Sequence, residues 1–121
     1  MNEENTEYLH KAYPKLYIEK PYFECQDGWF HIIDRLSQQL ENEIESIQKD
    51  SEDEDCRPHC IQIKEKYGTL RCYMSVSSSE MDWLISLAEN ESAVTCEVCG
   101  KPGNLNNGPW YSTLCEDHRE K

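Results

Sequence analysis

The chain has 121 residues, and its 24 acids against 12 bases give a formal net charge of −12, with 37% hydrophobic and 30% charged residues. That length supports one compact domain with a modest core, and no apolar run suits a signal peptide or a membrane span. So negative a surface repels a phosphate backbone at long range, which disfavours generic nucleic-acid binding and suits a basic protein partner better.

Residues 1–24 carry the weakest signal. Asn5 to Tyr13 suits a short helix with Tyr8, Leu9, Ala12 and Tyr13 apolar and Pro14 ending it. Lys15 to Glu24, broken by Pro21, reads as an extended cover over part of the core. The aromatic density (Tyr8, Tyr13, Tyr17, Tyr22, Phe23) is commoner in packing than in a binding surface. The clearest helix follows. Asp27 is placed to cap it, and Trp29, Ile33, Leu36, Leu40, Ile44 and Ile47 recur at spacings of three and four, which predicts one apolar stripe. Gln38, Gln39, Glu41, Asn42, Glu43 and Glu45 then fall on the wet side, and His31 lies off the stripe as a surface residue.

Past the helix, Asp50 and Glu52 to Asp55 form an acidic loop or linker in which like charges repel and nothing apolar pulls inward. A solvated turn is the ordinary reading. The sharper one joins Glu41, Glu43, Glu45, Glu52, Asp53, Glu54 and Asp55 into a negative patch that engages a basic groove on a partner. Cys56, His59 and Cys60 cluster next, but three ligands without a spaced partner pair make a weak second metal site.

Ile61 to Lys66, Tyr67-Gly68 and Thr69 to Val76 read as a β-hairpin, with Ile61, Ile63, Leu70, Cys72, Met74 and Val76 on the inner face and Gly68 supplying the positive φ of the turn. Gln62, Lys64, Lys66, Arg71 and Tyr73 make the outer face the most basic part of the chain. Ser79 with Asp82 has the form of a capping box opening a second helix, whose apolar side is Met81, Leu84, Ile85, Leu87 and Ala88, with Trp83 flanking. Asn90 to Ser92 ends it.

The last quarter carries the most specific pattern. Cys96-Glu97-Val98-Cys99-Gly100 and Cys115-Glu116-Asp117-His118 spell C-x2-C and C-x2-H, two close pairs on either side of a connection. Three thiols and an imidazole in this spacing suit one tetrahedral Zn²⁺, and four protein ligands leave no position for a reactive water. Disulfides or free thiols are the alternative. Gly100 lets the backbone curl past the metal, Lys101-Pro102-Gly103 and Asn106-Asn107-Gly108-Pro109 supply turns on either side of Leu105, and Trp110 to Leu114 reads as the strand that delivers the second pair. Seven cysteines, an odd number without an export signal, point to a reducing cytoplasm.

The fold class is therefore α+β: a long amphipathic helix on a β-hairpin, a second helix, and a zinc-ribbon or treble-clef-like unit. Residues 1–92 form the core and 93–121 the zinc-binding unit packed against it, as one compact domain. Gln26-Asp27-Gly28-Trp29-Phe30, Lys64 to Arg71, Cys96 to Gly103, and Thr113-Leu114-Cys115 with His118 occur in that order. This resembles a group of small, uncharacterised proteins of bacteria and their phages that carry a C-terminal CxxCG…CxxH zinc motif. The resemblance spans Gln26 to His118. It implies the zinc ligands and the α+β arrangement and brings no activity with it; the Cys56 to Cys60 cluster and the long acidic run are not features of the group.

Three function classes compete. Catalysis lacks a phosphate-cradling loop, a nucleophile motif or a placeable carboxylate pair. A metal-dependent nuclease would need a histidine base beside an open metal position, and His118 is already a ligand. A nucleic-acid reader would use Lys64, Lys66, Arg71, Tyr67 and Tyr73, against the field of the whole chain. A non-catalytic protein-interaction module with one structural zinc fits best. In its narrow form it is a phage-type inhibitor whose acids occupy the phosphate groove of a basic nucleic-acid-handling host protein.

Overall fold

In the computed structural model, which describes residues 1–48, 57–107 and 110–119, three helices and two small sheets make a mixed α+β fold. Helix α1 spans Glu3–Ala12. The Asn2 side chain caps it by accepting from the Asn5 amide at 2.7 Å, and Glu3 and Glu4 lie at the positive end of its dipole. Asp27 does not cap the helix that follows it. Its carboxylate accepts from the Asn2 amide at 2.9 Å and from Asn5 Nδ2 at 3.1 Å, tying α1 to a single 3-10 turn, Asp27–Trp29.

Helix α2 spans Phe30–Gln48. Trp29, Ile33, Leu36, Leu40 and Ile44 are all buried as their spacing requires, whereas Ile47 near the helix end is 37% exposed. Tyr13, Tyr17 and Phe23 enter the same core; Tyr8 and Tyr22 stay exposed. The two buried phenols find partners on α2, Tyr13 Oη donating to Asp34 Oδ1 at 2.6 Å and Tyr17 Oη bonding Ser37 Oγ. Residues 14–19 are a run of turns and not an extended cover. Strand β1, Phe23–Glu24, is only two residues long and pairs parallel with the next strand, Phe23 opposite Ile63.

Glu41 is the main departure from the helical pattern. It is buried, with its carboxylate accepting from the Leu16 amide at 2.7 Å and the Lys15 amide at 3.3 Å. The charge predicted for the wet side instead satisfies backbone donors of the turn after α1. Glu41→Ala is expected to leave the buried Leu16 amide unpaired and to cost about 1–3 kcal/mol of stability, read as a lowered urea midpoint. Glu41→Gln, which keeps an acceptor, should lose clearly less.

Strands β2 (Cys60–Lys66) and β3 (Thr69–Met74) form the expected hairpin. Tyr67 (φ 53°) and Gly68 (φ 84°) both take positive φ, the signature of a type I′ turn. Ile61 does not face inward. The register shifts between Cys60 and Gln62, so Ile61 is the extra residue of a bulge. The bulge reverses the alternation, burying Cys60 together with Ile63 and leaving Ile61 52% exposed. Val76 lies beyond the strand and is also exposed.

Helix α3 spans Ser79–Ser92. Its cap is Ser78, one residue earlier than the capping box suggests: Ser78 Oγ accepts from the Met81 amide, and Asp82 receives Ser77 Oγ instead of reaching back to the cap. Met81, Leu84 and Ala88 are buried against the core, while Leu87 and Trp83 are exposed. Ser92 Oγ accepts from the Leu70 amide at 2.8 Å and so joins the end of α3 to β3. Among the described residues no helix is long and apolar enough to cross a membrane.

Candidate metal centre

After α3 the chain turns through Thr95 and folds Cys96 to Gly100 into a tight loop. Gly100 adopts φ 82°, its amide bonds the Cys96 carbonyl at 2.9 Å, and the Cys96 amide returns to the Lys101 carbonyl at 2.7 Å. Strands β4 (Asn104–Asn107) and β5 (Tyr111–Leu114) form an antiparallel hairpin. Asn106 and Asn107 are thus strand residues and not turn residues; Gly108 and Pro109 lie outside the described set. β5 delivers Cys115 where the sequence requires it, and a turn closed by the His118 amide on the Cys115 carbonyl brings in the imidazole.

These two loops place Cys96, Cys99, Cys115 and His118 with all four ligand atoms within 4.8 Å of one another. Cys99 Sγ lies 3.6 Å from Cys115 Sγ, and His118 Nδ1 lies 3.7 Å from Cys96 Sγ and 3.2 Å from Cys115 Sγ. Such a group is close enough to hold one metal ion, and the histidine offers its nearer ring nitrogen, Nδ1. No other group of this kind occurs among the described residues. Cys60 is buried in β2, and His59 turns away to Glu19 Oε1 at 3.2 Å and Ser75 Oγ at 3.2 Å; Cys56 lies outside the described residues.

The electrostatics favour thiolate at Cys96 and Cys115. Burial by itself would push the Cys96 thiol up, but backbone donors of Cys115, Cys99 and Val98 outweigh it and bring it down to about 6. Burial likewise raises Cys115, and hydrogen bonds from His118 and Cys99 bring it below the ordinary thiol value. The His118 imidazole is raised by its contacts with Cys115 and Cys96. Cys96 and Cys115, one on each loop, are thus prepared to give up a proton to a cation. At Cys99, by contrast, the lowering bond from the Lys101 backbone is outweighed by burial and by the neighbouring Cys115 and Cys96 sulfurs, which hold its thiol up.

What holds the centre to the body was not evident from the motif. Gly28 donates its amide to the Glu97 carbonyl at 2.6 Å, and a Cβ there would stand 2.2 Å from the Cys96 carbonyl oxygen. Trp29 Nε1 donates to the Thr95 carbonyl at 2.9 Å. Glu97, inside the C-x2-C loop, is buried and accepts from the Gln26 amide at 3.0 Å. Burial above all pushes its carboxyl above the ordinary range, with the Gln26 amide acting in the opposite direction. Thr113, fully buried in β5, donates Oγ1 to the Gly68 carbonyl at 2.6 Å. His31 is exposed, as its position suggests, and its ring lies close to Gly100. The only sequence trace of this support is the Gly28-Trp29 pair ahead of a clear helix.

Of the seven acids in the predicted patch, Glu41 does not belong to an exposed surface. Glu41 is buried, Glu43 is half-buried, and Glu45 is exposed with Lys15 Nζ 3.9 Å away. Glu52, Asp53, Glu54 and Asp55 lie outside the described residues. On the hairpin's outer face Arg71 pairs with Glu89 at 3.1 Å, so part of its positive field is already answered, and the neutral Gln62 side chain donates to Glu24 at 3.0 Å. Comparisons of the chain with family models, with curated proteins and with solved structures find no match.

Proposed function

We propose that this protein is a non-catalytic interaction module whose carboxyl-terminal quarter is pinned by one structural zinc ion and whose acidic surface engages a basic polypeptide. The observation behind the metal is the convergence of three thiols and one imidazole on one point. In a tetrahedron, Zn–S bonds of about 2.3 Å and a Zn–N bond of about 2.0 Å give ligand–ligand edges of about 3.8 and 3.5 Å. Three of the six separations, 3.6, 3.7 and 3.2 Å, are close to those, and all six lie within 4.8 Å. Four protein donors complete that tetrahedron, which favours a structural role over activation of water in a nuclease.

The order of tight loop, two-stranded hairpin and second donor pair suits a zinc-ribbon-like unit, since Cys115 to His118 form a turn and not a helix. Unpaired thiols at Cys25, Cys60 and Cys72 are compatible with a reducing cytoplasm. For the partner, the support is charge. With Glu41 spent internally, the candidate acids on α2 are Glu43 and Glu45, continued by the acids 50–55 of the sequence. Answered charge on the hairpin argues against the nucleic-acid reading. The narrow form, consistent with the resemblance to phage proteins, is an inhibitor that occupies the phosphate groove of a nucleic-acid-handling protein.

Affinity capture from a host extract tests the partner. The expected catch is a basic, nucleic-acid-handling protein, released by salt. Replacing Glu43, Glu45, Glu52, Asp53, Glu54 and Asp55 by their amides should weaken it about tenfold or more. Capture unchanged by both treatments would defeat the reading.

A further inference from the structure

The turn of the β2–β3 hairpin lies against strand β5 at the surface. Tyr67, in the type I′ turn, stands beside Tyr111 at the start of β5, their rings edge to face at 6.1 Å and 79°. Trp110 is 84% exposed, and with Glu65 these three aromatics line an open cavity of about 420 Å³. Scattered exposed apolar residues need no explanation, but three large rings around one concavity with a carboxylate do. Nothing in the packing of the core requires them there. Lys66 Nζ already lies 5.7 Å above the Tyr67 ring, so a cation of the chain itself is drawn to the aromatic surface.

We propose that this concavity binds an arginine side chain of a basic partner. The inference rests on the reading of the protein as a module for a basic polypeptide, and adds the residue by which that partner is anchored. Aromatic faces carry the negative end of a quadrupole and attract cations, most strongly at tryptophan. A guanidinium is planar and weakly hydrated, so it stacks on a ring face where an ammonium keeps its water, and its fork of N–H donors suits the Glu65 carboxylate. Net charge of −12 brings such a partner in and keeps phosphate out, which sets arginine ahead of a stacked nucleic-acid base. The Tyr67 wall is also held in place before binding: Thr113 Oγ1 on the Gly68 carbonyl and the Leu105 side chain against Gly68 fasten the β2–β3 turn to strands β4 and β5.

Titration of the metal-loaded protein at physiological salt, followed by tryptophan fluorescence and calorimetry, tests this with three probes: an arginine hexapeptide, a lysine hexapeptide and a short oligothymidylate. The arginine peptide should bind about tenfold or more tightly than the lysine peptide. Trp110→Ala, alone and with Tyr67→Asn (a residue that tolerates the positive φ), should bring it down to the lysine level with metal content unchanged. Equal affinity for the two peptides, or undiminished selectivity in both variants, overturns the arginine site and leaves the basic-partner reading standing. Binding of neither peptide, or of oligothymidylate in their place, overturns both.

Discussion

Withdrawing the metal with a strong chelator is expected to release residues 95–119 from the body and to lower the stability of the whole chain. Structural zinc in sites of this composition supplies roughly 10–16 kcal/mol of apparent binding free energy at neutral pH, while a domain of this size has a net stability of about 5–15 kcal/mol. The proposed zinc would therefore contribute an amount comparable with everything left over after folding. Without it, three thiols and an imidazole are left crowded within 4.8 Å, and the two loops are joined only by hydrogen bonds such as that of the Glu97 amide on the Thr113 carbonyl at 3.0 Å. Loss at the metal reaches the core through Thr95, which accepts from the buried Trp29 indole, and through Glu97, which accepts from Gln26 and Gly28. Cys115→Ser should act in the same direction, since a hydroxyl is a poor substitute for a thiolate on zinc. Amide hydrogen exchange gives the measurement. The amides of Cys96, Glu97 and Gly103 should lose their protection, and the cobalt-substituted protein should show the charge-transfer bands of thiolate ligation in a tetrahedral field. Protection unchanged after complete metal removal would mean that the loops stand on their own and that the zinc assignment is wrong.

The parts of this structure that could be read from the chain are those whose cause is local. The stripe from Trp29 to Ile44 needs only helical periodicity, the β2–β3 turn needs a glycine at one position, and the ligand set needs only its spacing. The parts that escaped depend on contacts between residues far apart in sequence. Glu41 occupies a helical position indistinguishable from that of Glu45, and only the turn 25 residues earlier decides that it is buried. The bulge at Ile61 breaks an alternation that looks regular from either side. Ser79 has the capping-box spacing, yet Ser78 is the cap and receives the amide of the fully buried Met81. The meeting of Tyr67 and Tyr111, likewise, joins a turn and a strand separated by some forty residues of chain.

Gly28→Ala is expected to cost about 3–5 kcal/mol, as overpacking plus the loss of one or two buried hydrogen bonds, and to weaken metal binding at the same time. The added methyl would meet the Cys96 carbonyl oxygen at 2.2 Å and the Glu97 carbonyl carbon and oxygen at 2.4 Å. All three are backbone atoms, so no side chain is able to swing aside. One of two things must give way. If the C-x2-C loop retreats, Cys96 leaves the position from which it faces Cys115 and His118, and the metal loses a ligand. If the Asp27–Trp29 turn retreats, Trp29, which is fully buried and bonded to Thr95, is lifted from the core. Either route couples folding to the metal, which sets this substitution apart from Glu41→Ala, whose damage lies at the Leu16 turn. Competition with a coloured zinc chelator separates the two: metal affinity should fall for Gly28→Ala and hold for Glu41→Ala even where both lose stability. Equal metal affinity in the two variants would show that the loop of Cys96 does not depend on its docking at Gly28.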